Sequence, residues 1–244
     1  ASSGLGKGVA SALLSEGARV IAIAREAAKL QLLSSEYPGQ VEVLSGDITH
    51  EETIGRVIAM IDDRKLSGAC INAGGPPAKS FLETELEDWD KAYRQVVRWK
   101  IALSKALLPI FRAREYGRLL FIESESVKQP ISNLVLSNSL RLAVVGFAKT
   151  LSQEIAKEGI TVNVLAPGFH DTPAAQRLFV KRSEVENISL AEARKKYEQQ
   201  ISVGRMGNPR EFGMLAAWLL SPHSGYITGQ TITMDGGAVQ GLFG

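Results

Sequence analysis

Ala1-Ser2-Ser3-Gly4-Leu5-Gly6-Lys7-Gly8 opens the chain and reads as the second half of a glycine-rich turn that leads a strand into a helix. Glycines at 4, 6 and 8 let a backbone approach a pyrophosphate, and the unpaired N–H groups of a helix N-terminus attract the anion. An ordinary glycine-rich turn has the same composition, so the reading gains weight only from motifs further along the chain. The strand that should feed this turn is not in the text. A parallel sheet without its central strand would leave two strands unpaired in the core. The expectation is therefore a natural chain reaching ~10–15 residues further upstream, about one strand plus a few leading residues. With it goes a gap between the strands near Arg19 and Gly68.

Working outward, short β-branched runs alternate with longer helical patterns, the signature of βαβ units and a parallel sheet. Strands are expected at Arg19–Ala24, Val41–Ser45, Gly68–Ala73, Arg118–Ser124, Thr161–Ala166 and Thr231–Asp235. Most are continuous apolar runs, as in strands covered on both faces. Helices are expected near Lys7–Glu16, Glu51–Asp63, Trp89–Arg114, Ser137–Glu158 and Pro209–Leu220, the last introduced by Asn208 as N-cap before Pro209. The fold class is α/β: a doubly wound parallel sheet in three layers, forming one domain over residues 1–244. The polar, helix-prone stretch from about 172 to 204 reads either as a lid over a substrate or as a solvated surface helix.

Bulk properties exclude several classes. The net charge is +2 and the basic residues are scattered, which argues against nucleic acid as a partner. No apolar run reaches the 18 residues that would suggest a membrane span. Cys70 is the single cysteine and cannot form an internal disulfide, so a reducing, cytoplasmic location is the default expectation.

Further motifs fall at strand ends, where doubly wound sheets bind ligands. Asp47-Ile48 follows the strand at Val41, Asn72-Ala73-Gly74 ends the strand at Gly68, and Ala166-Pro167-Gly168 follows the strand at Thr161, with Thr172 just beyond. Together with Asn163 and the tail Tyr226-Ile-Thr-Gly229…Asp235-Gly236-Gly237, these motifs run the length of the chain in a familiar order. The sequence resembles the short-chain dehydrogenase/reductase family, a Rossmann fold, and most nearly its 3-oxoacyl-[acyl-carrier-protein] reductase branch.

The resemblance implies a nicotinamide dinucleotide cofactor held by Ser2, Ser3, Gly4, Leu5 and Gly6 around the pyrophosphate. It places Asp47 and Ile48 at adenine, Asn72, Ala73 and Gly74 near the adenosine ribose, and Pro167, Gly168 and Thr172 at the nicotinamide. It also implies a small-molecule carbonyl or acyl substrate and a homotetramer built through the long helices and the C-terminal strand. An acidic residue after the second strand would read the ribose of NAD(H). Here Ala24-Arg25 stands instead, and a guanidinium forks onto phosphate oxygens. The reading favours NADP(H) over NAD(H), with a solvated surface arginine as the alternative for Arg25.

The family's catalytic residues are Asn, Ser, Tyr and Lys. Carried over, the serine falls on Ser124, the tyrosine on Ser137, the lysine on Arg141 and the asparagine on Val96. Ser124 and Ser137 are 13 residues apart, the usual family spacing. Only the serine survives. An aliphatic hydroxyl is a far weaker acid than a phenol of pKa about 10, and arginine cannot give up its proton. Arg141 could still bind ribose hydroxyls or a substrate carboxylate. Replacement proton donors are sought in His170, whose imidazole titrates near neutrality, although a loop histidine facing solvent explains it equally simply. Glu123 and Glu125 flank Ser124, but strand alternation sends both away from the serine's face unless the strand has already ended. Lys128 and Ser139 are further candidates. Two functions are compatible with this pattern: a reductase with an altered proton route, or a dinucleotide-binding protein with little chemistry, acting as sensor or partner subunit. A polar cluster in the pocket favours the first, and its collapse onto apolar side chains the second.

Overall fold

The computed structural model describes residues 1–61 and 66–242. Among the described residues six parallel strands form: β1 (Val20–Ala24), β2 (Val41–Ser45), β3 (Gly68–Ile71), β4 (Gly117–Ile122), β5 (Ile160–Pro167) and β6 (Thr231–Met234). β1 pairs with β2, and β3-β4-β5-β6 form a second ladder in that order. Between β1 and β3 lies a cleft of about 540 Å³, lined by Val9, Leu13, Ile21, Ala69 and Trp99 among others. Beside it the Ala1 backbone nitrogen donates to the carbonyl of Ile23 at 2.8 Å.

Alternation along β4 explains the three layers. Leu119 and Phe121 point to the face covered by α5 (Trp99–Arg112) and α6 (Val135–Ile155), where Leu103, Leu107, Phe111 and Val144 are buried with them. Leu120 and Ile122 point the other way, against α1 (Gly4–Ser15) and α9 (Pro209–Leu220), where Val9, Phe212 and Ala216 bury them. A strand apolar on both faces belongs in a sheet covered on both faces. α1 and α9 cross at backbone contact. A Cβ on Gly8 would stand 2.3 Å from the Pro209 carbonyl oxygen, and one on Gly213 2.2 Å from the Gly8 carbonyl oxygen.

Three local features bear on the site, and the first two depart from expectation. First, a helix α2 (Ala27–Glu36) forms where the pattern predicts no element; only Leu30 and Leu33 are buried on it, too few to mark a period. α3 (Glu51–Ile61) runs as expected, and the rest of the anticipated Glu51–Asp63 lies outside the described residues. Second, the expected helix Trp89–Arg114 is broken into α4 (Leu86–Tyr93), a π-helical segment Arg94–Arg98 and α5. π-turns often accompany functional sites, and this one carries Val96. Third, the helix-prone stretch from about 172 to 204 forms two helices. α7 (Pro173–Glu186) is capped by the Thr172 hydroxyl, and α8 (Leu190–Glu198) by a Ser189–Glu192 capping box. The pair has its own small core of Ala175, Phe179, Ala193, Ile201 and Met206, with Tyr197 set between Phe169 and Phe179.

Candidate active site

The carboxyl ends of β3, β4 and β5 bring most of the sequence-predicted residues to one edge. β4 ends at Ile122, two residues short of the expected Ser124. That early end corrects the alternation argument, because Glu123 is no longer bound to the strand's up–down rule. Its side chain is wholly buried, with Oε2 accepting from Nη1 of Arg141 at 3.1 Å and Oε1 bonded to the Lys100 ammonium. Arg141 in turn donates from Nε to the Ser137 hydroxyl oxygen at 3.0 Å. Arg141 and Ser137 are one turn apart on α6, so the spacing that suggests a catalytic pair also sets them side by side. The outer Nη2 of Arg141 lies 2.8 Å from where a Cβ on Gly75 would be, so Gly75 makes room for the guanidinium.

Lys100 gives no signal in the sequence. It sits one turn beyond the buried Val96, on the first turn of α5, and is itself only 3% exposed. Burial lowers its pKa, and the neighbouring guanidinium adds to that, while the Glu123 carboxylate opposes both. The four side chains form a chain of hydrogen bonds, Lys100–Glu123–Arg141–Ser137, at the positions where the resemblance places tyrosine and lysine. The cluster is polar and fully connected.

Ser124 is half-buried and its hydroxyl oxygen accepts the N–H of Ser126 at 3.2 Å, capping the short 3₁₀ turn Glu125–Val127. Its proton stays free to donate. Glu125, in that turn, also escapes alternation and turns toward Gly168 and Asp235. A Cβ on Gly168 would meet Glu125 Oε2 at 2.6 Å and the Asp235 Cβ at 2.6 Å. Oε2 is enclosed without a hydrogen-bond partner among the described residues. Burial, and secondarily the Asp235 charge, push the Glu125 carboxyl up to about 7. The fold thus holds this proton more tightly than the unfolded chain, where the ordinary value is 4.5. The contribution is complete below about 4.5 and is lost as pH rises through about 7, on the order of 3 kcal/mol in all. Urea unfolding of the protein between pH 5 and 8 should show this decline, and Glu125→Gln should flatten it. A parent whose stability is level across that range would remove the effect.

His170 neither faces solvent nor joins the Ser137 cluster's bonds. Its ring is 4% exposed, Nδ1 lies 3.0 Å from the Gly168 carbonyl oxygen, and the ring packs edge-on against Phe212. Gly207 lies directly against the other edge, and burial lowers its pKa. The loop expected there is pinned instead, because the Gly207 carbonyl accepts the Asp171 N–H and the Gly207 N–H donates to the Phe169 carbonyl. Of the further candidates, Ser139 is exposed on α6 and Lys128 is exposed after the 3₁₀ turn.

Of the predicted cofactor residues, Asn72 and Thr172 lie against the start of α1. Ser3 makes no side-chain cap, so the first N–H groups of α1 remain available to an anion. Gly4 faces the Thr172 side chain, where a Cβ would be 3.5 Å away, and Gly6 faces the Asn72 amide, where a Cβ would be 3.3 Å from Nδ2. Ser2 and Leu5 are half-buried beside them, while Asn72 and Gly74 are exposed at the end of β3, with Ala73 between them half-buried. Asp47 opens an Asx turn: one carboxylate oxygen takes the N–H of Thr49 at 3.0 Å and its hydroxyl at 2.8 Å. Partial burial works against these bonds, yet with His50 and Arg25 nearby the carboxyl is held below its usual range. Arg25 is exposed at the end of β1 on the same rim, and Ile48 is half-buried beside it. A bare helix N-terminus and side-chain-free approaches at Gly4 and Gly6 suit a dinucleotide diphosphate. Asn163 has a structural duty, bonding Ile227 and Gln230 so that the Tyr226–Gly229 tail is tied to β5. Pro167 closes β5 and sets Gly168 beside Glu125.

Comparison with known proteins agrees with this architecture. The family model described as enoyl-(acyl carrier protein) reductase matches residues 1–239. The chain belongs to the short-chain dehydrogenase/reductase family. It is 31% identical to the 3-oxoacyl-[acyl-carrier-protein] reductase FabG of Vibrio cholerae, covering 97% of this chain and 93% of that protein. It is 32% identical to dehydrogenase/reductase SDR family member 6 of Rattus norvegicus, covering 97% and 94%. Among solved structures, YwfH, an NADPH-dependent reductase of bacilysin biosynthesis, superposes with a TM-score of 0.93 at 25% identity, over 99% of this chain and 96% of that one. An actinorhodin polyketide ketoreductase with NADPH gives a TM-score of 0.91 at 27% identity, over 98% and 95%. The short-chain dehydrogenase/reductase fold therefore frames the Lys100–Glu123–Arg141–Ser137 cluster.

Proposed function

We propose that this short-chain dehydrogenase/reductase is an NADP(H)-dependent reductase of a small carbonyl compound of the 3-oxoacyl type, with Ser137 and Arg141 serving where the family pattern has tyrosine and lysine. The observation that carries the reading is the cluster itself. Of the three degenerate positions Val96 is buried in the apolar core, but Ser137 and Arg141 belong to a connected set of polar groups that ends on the Ser137 hydroxyl, with the Ser124 hydroxyl just past the end of β4. The names of the relatives, among them an NADPH-dependent reductase and a 3-oxoacyl reductase, support the cofactor and the substrate class.

Gly4, Leu5 and Gly6 would hold the pyrophosphate, with Ser2 and Ser3 beside them. Arg25 would hold the 2′-phosphate, Asp47 and Ile48 the adenine, Asn72, Ala73 and Gly74 the ribose side, and Pro167, Gly168 and Thr172 the nicotinamide. When bound, the cofactor supplies a hydride to the carbonyl carbon. Ser124 and Ser137 orient the carbonyl oxygen through their hydroxyl protons. As the C=O electron pair moves onto that oxygen, the oxygen takes the Ser137 proton. The serine oxygen is left negative beside the guanidinium of Arg141, and water reprotonates it. The guanidinium substitutes for intrinsic acidity: stabilising charge where it develops is the larger part of such catalysis. His170 keeps a supporting place under the lid hinge. The exposed Tyr93 and Leu142 on α4 and α6 suit burial in a homotetramer, and a cytoplasmic setting completes the reading.

The test is cofactor consumption with NADPH and NADH against short and long 3-oxoacyl thioesters. NADPH is expected to bind more tightly by calorimetry, and Arg25→Glu to reverse that order. Ser137→Ala is expected to lower kcat by about 10²-fold. Tight NADPH binding without turnover of any carbonyl compound would instead favour the sensor reading. Equal affinities for the two cofactors would free Arg25 of its role.

A further inference from the structure

Glu123 is one carboxylate shared by two cations from different elements. Lys100 approaches from α5 and Arg141 from α6, and both meet it at the end of β4. Around the Lys100 ammonium, Glu123 and Arg141 are the facing charges. The Trp99 ring lies 5.8 Å from its Nζ, and the Lys100 backbone carbonyl is occupied by the Ser104 hydroxyl. Lys100 and Glu123 are buried beyond direct contact with a substrate, whereas Arg141 is about a tenth exposed and reaches Ser137.

We infer that Lys100 is a positioning residue of the reaction: through Glu123 it sets how much of Arg141's positive charge acts on Ser137 and on the oxygen held there. The inference rests on the reductase reading above. With Lys100 charged, Glu123 divides its single negative charge between two partners and the cluster carries a net positive charge. With Lys100 neutral, Glu123 is left to Arg141 alone, and the guanidinium that Ser137 feels is neutralised. Arginine does not titrate in proteins and lysine does, so Lys100 is the member that can change state. Its burial, which disfavours the ammonium, brings that change closer to working pH. Nothing in the family's four catalytic residues supplies this function, because here the modulating lysine comes from a different helix and works through a carboxylate.

The charged state of Lys100 is the active one, so kcat should fall as pH rises through its titration, by about tenfold, while KM changes less than twofold. Lys100→Arg keeps the ion pair but cannot titrate. It should retain the acid plateau and lose the alkaline fall. Lys100→Met mimics the neutral state and should be level with pH at about a tenth of the parent plateau. Each is measured by NADPH consumption with a 3-oxobutanoyl thioester. A second readout needs no turnover. Arginine side-chain ¹⁵N and lysine side-chain ¹³C resonances are followed with pH, with Arg141→Lys assigning the arginine signal. In the parent, the Arg141 Nε signal should move with the Lys100 midpoint, and in Lys100→Arg it should stay still.

An alkaline fall that survives in Lys100→Arg, or an Arg141 signal indifferent to Lys100 titration, overturns the inference even if the protein is a reductase. Coupled resonances in a protein that reduces no carbonyl compound would uphold the charge linkage and sink the reductase reading. Should Lys100→Met fail to fold, the arginine variant and the resonance titration still decide the matter.

Discussion

Glu123→Leu is expected to cost the fold about 3–5 kcal/mol, the largest effect of any single substitution near the site. The change removes the anion from between Lys100 and Arg141 and leaves both cations enclosed with nothing to neutralise them. Desolvating an unpaired charge dominates here. The leucine fills the space, so the loss is electrostatic rather than a cavity. That distinction can be measured, because the triple change Lys100→Met, Glu123→Leu and Arg141→Met removes every charge together. Apolar replacement of a whole buried ion cluster is often neutral or stabilising, so the triple variant should return to within about 2 kcal/mol of the parent in urea unfolding. It should have no reductase activity. A single variant that loses less than about 1 kcal/mol would show that water or rearrangement rescues the cations, and the cluster would then be looser than its geometry implies.

The second large effect lies where α1 crosses α9. Gly8→Ala places a methyl 2.3 Å from the Pro209 carbonyl oxygen, and Gly213→Ala places one 2.2 Å from the Gly8 carbonyl oxygen. Both obstacles are backbone and neither can rotate aside. The helices must separate, which breaks the packing of Val9 and Phe212 and shifts the N-terminus of α1. Overpacking typically costs about 1–3 kcal/mol and occasionally more; two rigid backbone clashes belong at the upper end. Because α1 carries the proposed pyrophosphate site, NADPH affinity should fall with stability by tenfold or more. Gly55→Ala is the control. Gly55 lies in α3 with open space around a new methyl, so helix propensity alone should act, stabilising by about 0.5–1 kcal/mol. If Gly8→Ala and Gly55→Ala behave alike, the close crossing is not a constraint.

Legibility in the sequence tracks how local the determining physics is. The strands and the start of α9 are specified by contiguous apolar runs and by Asn208-Pro209, and the structure places them within a few residues of expectation. α2 escapes because two buried leucines in ten residues make no period. The π-turn at Arg94–Arg98 escapes because no residue type there announces it; its cause is tertiary packing around Val96 and Val97. At the site, the spacing of Ser124, Ser137 and Arg141 is readable. Glu123 is readable only on the condition that the strand has ended, because strand-like sequence runs two residues past the real end of β4, and those two residues decide which way a side chain points. Lys100 is invisible for a different reason. A lysine on an amphipathic helix is ordinarily a surface residue, and only the approach of Glu123 from another element makes burying it tolerable.

The private core shared by α7 and α8 has a consequence for how this pair moves. Phe179, Ala193 and Tyr197 bind α7 to α8, while the two chain ends of the hairpin are stitched together by bonds from Asp171 N–H to the Gly207 carbonyl and from Gly207 N–H to the Phe169 carbonyl. A second tie runs to the C-terminal turn, from Val203 N–H to the Gly236 carbonyl and from the Ser202 hydroxyl to the Gly237 carbonyl, and a unit packed internally and held at these two places is expected to move as a solid body rather than fray residue by residue. Its amides should then exchange with deuterium as a single block, at one shared opening free energy below that of the main sheet. Graded exchange along α7 and α8 would mean that the flap melts. If this unit covers the substrate, the pace of product departure would be set at the Phe169–Gly207 pivot, which adjoins the proposed nicotinamide residue Gly168, and residues there would control turnover without taking part in the chemistry.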